Sequence, residues 1–121
     1  MLISVIIPAY NEAHFLRTTL ERIQLAIAEN DTEHISWEII VCDNNSTDET
    51  AVIAEELGAK VAFEPINQIS RARNSGAAIA QGTWLLFIDA DSYPKPALMA
   101  EVIEVIQAGH FIGCGTTMVV E

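Results

Sequence analysis

The sequence predicts an α/β fold, a Rossmann-like and mostly parallel sheet flanked by helices. Short apolar runs rich in β-branched residues alternate with segments whose apolar positions recur at three- and four-residue steps, the pattern of βαβ units with right-handed crossovers. The runs are apolar at nearly every position rather than every second one, as strands covered on both faces require. A length of 121 residues fits one domain around one hydrophobic core, spanning 1–121.

Leu2 to Ile7 reads as the first strand, with turn residues from Pro8 to Asn11. From Glu12 to about Glu29, Phe15, Leu16, Leu20, Ile23 and Ile27 form the apolar stripe of an amphipathic helix. Polar Asn30 to Ser36 is a loop, Trp37 to Cys42 a second buried strand, and Asp43 to Thr47 its break. Ser46 or Thr47 is placed to cap a helix from Asp48 to about Leu57, with Asp48 and Glu49 favoured by the helix dipole and Gly58 as a stop. Ala59 to Glu64 is a third strand, and a loop at Pro65 to Gln68 leads to a helix from Ser70 to Gln81, which Gly82 ends. Thr83 to Ile88 is the most apolar strand. Pro96 opens a helix to about Ala108 that Gly109 closes, and Phe111 to Val120 is a last strand. No repeat, low-complexity tract or interdomain linker interrupts this order. The last strand runs to the C-terminus without a following polar segment, so a cut boundary is expected there.

Six Lys and Arg against 17 Asp and Glu give a net charge of −11, while half the residues are hydrophobic and mean hydropathy is +0.27. A disordered acidic chain would be poorer in apolar residues. So acidic a chain does not hold nucleic acid or an anionic membrane surface by bulk charge, and any bound anion needs local help. No apolar run approaches the roughly 18 to 20 residues of a membrane span, and no basic leader with a small-residue cleavage site opens the chain. The expected location is cytoplasmic, including a cytoplasmic membrane face reached through segments or partners outside this chain. Cys42 and Cys114 lie inside apolar stretches and read as buried, reduced thiols. The two overlapping glycosylation acceptor patterns at Asn44 to Thr47 carry no weight without a secretion signal.

In open parallel sheets, ligands bind beyond the carboxyl ends of the strands, where strand order reverses. The polar residues here gather at three strand exits: Tyr10-Asn11-Glu12, Asp43-Asn44-Asn45 and Asp89-Ala90-Asp91. Asp89 and Asp91, a DXD pattern, can hold a hard divalent cation, and that cation would neutralise a diphosphate in an acidic protein. Alone, such a pair equally suits a turn and a helix entry. Arg71 and Arg73 begin the helix after the third strand, where guanidinium groups suit phosphate oxygens, although surface pairing with acids is the simpler use. Gly76 in that helix would allow a close approach to the sheet. His14, His34 and His110 share no metal-ligand spacing and read as surface residues, and Trp37 and Trp84 as core or rim packing. Glycine-rich phosphate loops are missing, and the isolated Gly113-Cys114-Gly115 does not replace them.

Four segments in order, Ser4 to Glu12, Asp43 to Asp48, Arg71 to Gly76 and Phe87 to Asp91, resemble the family 2 glycosyltransferases of GT-A fold, over the family's N-terminal, nucleotide-sugar-binding half. The resemblance implies that Pro8, Ala9, Tyr10 and Glu12 line a nucleotide pocket, with Tyr10 against the base. It implies that Asp43 and Asn44 read the base edge and ribose, and that Arg73, with Arg71 beside it, lies near base or diphosphate. It further implies that Asp89 and Ala90 face ribose or sugar, and that Asp91 with Asp89 holds Mn²⁺ or Mg²⁺. The donor implied is a UDP- or GDP-type nucleotide-diphosphate sugar, and the acceptor is a saccharide, lipid or protein hydroxyl. Family members commonly carry Asp-Asp-Gly-Ser where this chain has Asp43-Asn44-Asn45-Ser46. A neutral Asn44 both donates and accepts, so base identity stays open. Inverting members take their catalytic base from the C-terminal half, and no acid here matches it: Glu101 and Glu104 read as an exposed helix face, and Glu121 ends the chain. The implied unit is a donor-binding domain with weak or no transfer on its own. Two other readings stay open. A phosphoacceptor receiver domain would want an acid pair after the first strand and a lysine after the last, and a metal-dependent nucleotidyltransferase a Gly/Arg/Lys-rich loop after the first strand.

Overall fold

A computed structural model of the chain describes residues 1–30, 34–92, 96–108, 113–114 and 116–120. In chain order these form β1 (Leu2–Ala9), α1 (Ala13–Glu29), β2 (Ser36–Asp43), α2 (Thr50–Glu56), β3 (Lys60–Phe63), α3 (Ile69–Ile79), β4 (Trp84–Phe87), α4 (Pro96–Ala108), β5 (Gly113–Cys114) and β6 (Thr116–Val120). The sheet order is β3-β2-β1-β4-β6-β5. β1 pairs in parallel with both β2 and β4, and β2 with β3, whereas β6 runs antiparallel to β4 and β5 to β6. The α/β architecture and its parallel core are those expected from the sequence.

β1 is the centre because its residues have no face to give to water. Ile3, Val5, Ile7 and Ala9 pack toward α1, α2 and α4 with Leu16, Leu20, Ile23, Ala54, Met99 and Val102. On the opposite face a smaller cluster of Ile40, Cys42, Ala62 and Ala72 lies under α3. Gly76 brings α3 onto the sheet, since a Cβ there would stand 2.6 Å from Cγ2 of Ile6. Buried Cys42 has its thiol pushed up to about 11, first by burial and then by the Glu64 and Asp43 carboxylates, so the neutral, unreactive form dominates.

Several local expectations are corrected. β1 continues through Pro8 and Ala9 instead of turning at Pro8. The carbonyls of Leu2 and Ile6 accept from Thr83 and Ile88, so even-numbered β1 residues face β4. The missing N–H of Pro8 therefore points where β4 pairing has already ended, and costs the ladder nothing. α2 begins at Thr50, with neither Ser46 nor Thr47 capping it, because both are bonded to the Asn11 segment. α3 stops at Ile79, where Ala80 turns extended. Gly82 serves a different purpose from ending that helix: its N–H donates to the Ser4 hydroxyl, which in turn donates to Glu38. The last strand is two short antiparallel pieces, and expectations for Pro94, Gly109, His110, Phe111, Gly115 and the Cys114 side chain lie outside the described residues. His14, His34, Glu101 and Glu104 are exposed, and Trp37 and Trp84 are half-buried against the core, as expected. Among the described residues no helix is long and apolar enough to cross a membrane.

A Cβ on residue 82 would come within 2.8 Å of the Ser4 backbone nitrogen and 2.9 Å of the Leu2 carbonyl oxygen. Backbone cannot rotate away, so Gly82→Ala is expected to destabilise the chain by roughly 1–3 kcal/mol, a fall of several degrees in Tm. Calorimetric melting measures it, and an unchanged Tm would show that the β1–β4 edge yields.

Candidate functional site

Because the chain lays down β1, β2 and β3 outward and then places β4 on the other side of β1, strand order reverses between β1 and β4. Polar residues cannot continue a two-face-buried strand, so they appear where it ends, at the fork of the sheet. A cleft of about 370 Å³ opens there, lined by Pro8, Ala9, Tyr10 and Glu12 after β1, Asn44 after β2, Ile69 and Ala72 of α3, and Asp89, Ala90 and Asp91 after β4. Eight residues singled out in the sequence thus share one cavity. Ile69 and Ala72 carry no chemical signal. The four-residue spacing of Ala72 and Gly76, small residues on one helical face, is the one trace of where α3 meets the sheet.

The remaining singled-out residues lie beside the cleft. Asp43 is buried, and its Oδ1 accepts from Ser46 N–H at 3.0 Å, which folds the β2 exit back on itself. Arg71 is exposed and donates from Nε to Gln68 Oε1 at 3.0 Å. The Arg73 guanidinium stands 5.7 Å from the Phe87 ring centroid and lines an adjoining cleft of about 410 Å³ with Ile69, Leu85 and Phe87. Ile69 is the wall the two clefts share.

A polar clasp holds the first two exits together. Asn11 adopts a left-handed conformation, φ 51°, that asparagine tolerates better than most residues. Its N–H donates to Ser46 Oγ at 2.9 Å, and its Oδ1 accepts from Thr47 N–H at 2.8 Å. Glu12 N–H donates to Thr50 Oγ1, Ala13 N–H donates to Asp48 Oδ2, and Asp48 Oδ1 accepts from Thr50. Burial works against the charge on Asp48, but these donors hold its carboxyl below the usual range. On the β4 side, buried Thr19 donates to the Ala90 carbonyl at 2.7 Å and fixes the turn between the two aspartates to α1.

The mouth of the cleft is acidic. Partial burial, followed by the Asp91, Asp48 and Asp89 charges, raises the Glu12 carboxyl above its ordinary value. Among the described residues no three His, Cys, Asp or Glu side chains are grouped closely enough to enclose a metal ion. Mg²⁺ and Mn²⁺ do not need such an enclosure, because one or two carboxylates with phosphate and water oxygens complete their shell. Asp89 and Asp91, both exposed, are a donor set of that kind.

Residues 4–121 match the family model described as glycosyl transferase family 2. The chain is 33% identical over 124 residues to a dolichol-phosphate mannosyltransferase of Pyrococcus furiosus, an alignment covering 98% of this chain and 34% of that one. The TarS 1-349 structure from S. aureus in complex with UDP superposes with a TM-score of 0.74 at 29% identity, covering 89% of this chain and 32% of that chain. Glucosyl-3-phosphoglycerate synthase from Mycobacterium tuberculosis, crystallised with Mn²⁺, UDP and glucosyl-3-phosphoglycerate, gives a TM-score of 0.68 at 26% identity over 86% of this chain and 39% of that one. The chain spans about a third of the length of the curated relatives it matches.

A raised Glu12 means that the folded chain binds this proton more tightly than the unfolded chain. Stability is therefore lost as pH rises from the ordinary carboxylate value through the raised one. In metal-free buffer Glu12→Gln is expected to raise Tm at pH 7 and leave it unchanged near pH 3, where both states are protonated. Melting curves at the two pH values test this, and a lower Tm at pH 7 would contradict it.

Proposed function

This chain belongs to glycosyl transferase family 2, and we propose that it forms the donor site of a glycosyltransferase, binding a nucleotide-diphosphate sugar of UDP or GDP type for transfer to an acceptor hydroxyl. The observation that carries this reading is the cleft at the β1/β4 fork, where apolar strand ends and three carboxylates meet in one cavity. Its supports are the UDP complexes of similar chains and the Mn²⁺ of one of them.

In this reading Tyr10, half exposed at the rim, offers its ring to the nucleobase, and the Asn44 segment reads the base edge. Asp89 and Ala90 border the ribose and sugar, and Asp91 with Asp89 holds Mn²⁺ or Mg²⁺. When bound, that cation supplies the positive charge that a diphosphate leaving group needs. The rest belongs to the chain. Thr19 and the Asp48 clasp keep the acidic turns in place before a donor arrives, so that little ordering is left to be done on binding. Glu12 adds to the field that draws a cation into the cleft. Arg73, stacked on Phe87 beyond Ile69, stands ready for a phosphate or base edge on that side. Transfer with inversion requires a base at the acceptor hydroxyl. In this reading Asp89 and Asp91 go to the metal and Glu12 to the field around it, and the chain by itself is proposed to bind donor and to transfer little.

The receiver reading is not favoured. Asp43, its candidate phosphoacceptor, is buried and bonded to Ser46 N–H rather than presented in the cleft.

Titration calorimetry with UDP, with and without Mn²⁺, tests the donor site. Binding is expected to need the metal, and Asp91→Asn to weaken the metal-dependent part by roughly tenfold or more, as loss of one charged ligand implies. Metal-dependent binding that survives Asp91→Asn would place the cation elsewhere.

A further inference from the structure

Thr19 is a hydroxyl on an apolar face. It stands three residues after Leu16 and four before Ile23 on α1, and all three are fully buried. A buried threonine in a helix has a carbonyl of its own helix, three or four residues back, within reach as an acceptor. This one donates out of its helix instead, to the Ala90 carbonyl at 2.7 Å and 71 positions away. The oxygen it holds has a particular place in the chain. Ser92 N–H donates to the Asp89 carbonyl at 3.0 Å, which makes residues 89 to 92 a β-turn and the peptide between Ala90 and Asp91 its central one. The two commonest turn types differ by a flip of that peptide, and the flipped, type II form requires positive φ at the third residue. Among the described residues the non-glycines with positive φ are Asn11 and Asn45, so at Asp91 the turn is in the type I form. Ala90 is buried, whereas Asp89 and Asp91 on either side of it are exposed and line the cleft. A flip would turn the Ala90 carbonyl away from Thr19 and reset φ at Asp91, and with it the direction of the carboxylate. Aspartate visits the left-handed region more readily than most residues, so the backbone alone does not forbid the flip. Repulsion among Asp89, Asp91 and Glu12 favours any change that spreads these charges.

We infer that Thr19 is a positioning residue for the cation: its hydroxyl locks the central peptide of the Asp89–Ser92 turn unflipped, so that Asp89 and Asp91 are presented to the cleft together before any cation arrives. The inference rests on the donor-site reading above, and adds to it the group on α1 that decides whether the two carboxylates act as a pair. Valine at position 19 keeps the shape and puts a methyl group where the donor was. The Ala90 carbonyl is then buried without a partner, which disfavours the unflipped turn by a factor of about ten or more, and the flip relieves it. A cation that needs the unflipped turn binds more weakly in proportion to the fraction that remains. Serine keeps the donor and the lock.

Titration of the full chain with Mn²⁺ in the presence of excess UDP, followed by calorimetry, reads the lock as a metal midpoint. Thr19→Val is expected to raise that midpoint about tenfold, and Thr19→Ser to stay within about twofold of the unaltered chain. Thr19→Cys, of similar size but a weaker donor, is the second variant and is expected to fall between them. A role confined to stability would lower Tm and leave the midpoint of the folded chain where it was. Proton NMR reports the turn itself, because the flip brings the Asp91 amide proton close to the Ala90 α-proton. The unaltered chain is expected to show that contact weak, and Thr19→Val to show it strengthened. An unchanged midpoint in Thr19→Val, an equal rise in Thr19→Ser, or a strong Ala90–Asp91 contact in the unaltered chain overturns the inference and leaves the donor site standing. Failure of the unaltered chain to bind UDP at any Mn²⁺ concentration overturns both.

Discussion

Everything else in this fold is arranged around β1, a strand buried on both faces and paired along both edges. Seven of its eight residues are buried; β2 pairs along its whole length and β4 along Ile3 to Ile6. Such a strand can take no charge along its length, and water meets it only at its ends. The chain leaves β1 for β2 and β3 on one side and returns to β4 on the other, so the two neighbours diverge at the carboxyl end of β1. The cleft is the space left by that divergence. Pro8 belongs to the same constraint: its missing donor falls where β4 no longer needs one, which lets β1 reach past β4 and form the cleft floor.

The acidity of the chain has two distinct uses. Arg17 with Glu56 is an exposed pair that a folded surface carries at little net energy, whereas the nearly buried Glu38 side chain accepts from Lys60, Ser4 and the Gln81 N–H together. The strand-end carboxylates are different, because their charges are set against one another and, after partial burial, add to the rise of the Glu12 carboxyl. Rigid bonding holds them there. The Asn11, Asp48 and Thr50 clasp, the Thr19 bond to Ala90 and the Asn44 turn all lock backbone that would otherwise relax away from the repulsion. In the proposed function a cation and a diphosphate relieve that repulsion together, so the acidity becomes the reason a metal accompanies the donor.

Much of this could be read along the chain. The apolar runs at Leu2–Ile7 and Thr83–Ile88 announce strands with two covered faces, and the stripe from Phe15 to Ile27 announces a helix, because burial periodicity is written directly into residue order. The acids and amides at the strand exits were legible for the same reason, since polar groups bounding such strands have few places to go. Element ends were harder to read. Ser46 and Thr47 look like helix caps, yet Asn11, 35 residues away in sequence, takes their hydrogen bonds. Gly82 looks like a helix stop, yet what requires glycine is the backbone of Leu2 and Ser4.

The sequence by itself determined the α/β class, the order of its elements, the gathering of chemistry at three strand exits and the membership in a family of sugar transferases. These follow from local patterns, or from motifs whose spacing survives without coordinates. Only the tertiary structure decided which exits share a cavity, that Arg71, Arg73 and Asp43 stand beside it rather than in it, that the last strand turns antiparallel, and that the Asn44 amide is tied to the turn after β3. Each of these depends on partners brought together from distant parts of the chain. Hydrogen-bond polarity and close approach belong to pairs of groups, and residue order does not record the pair.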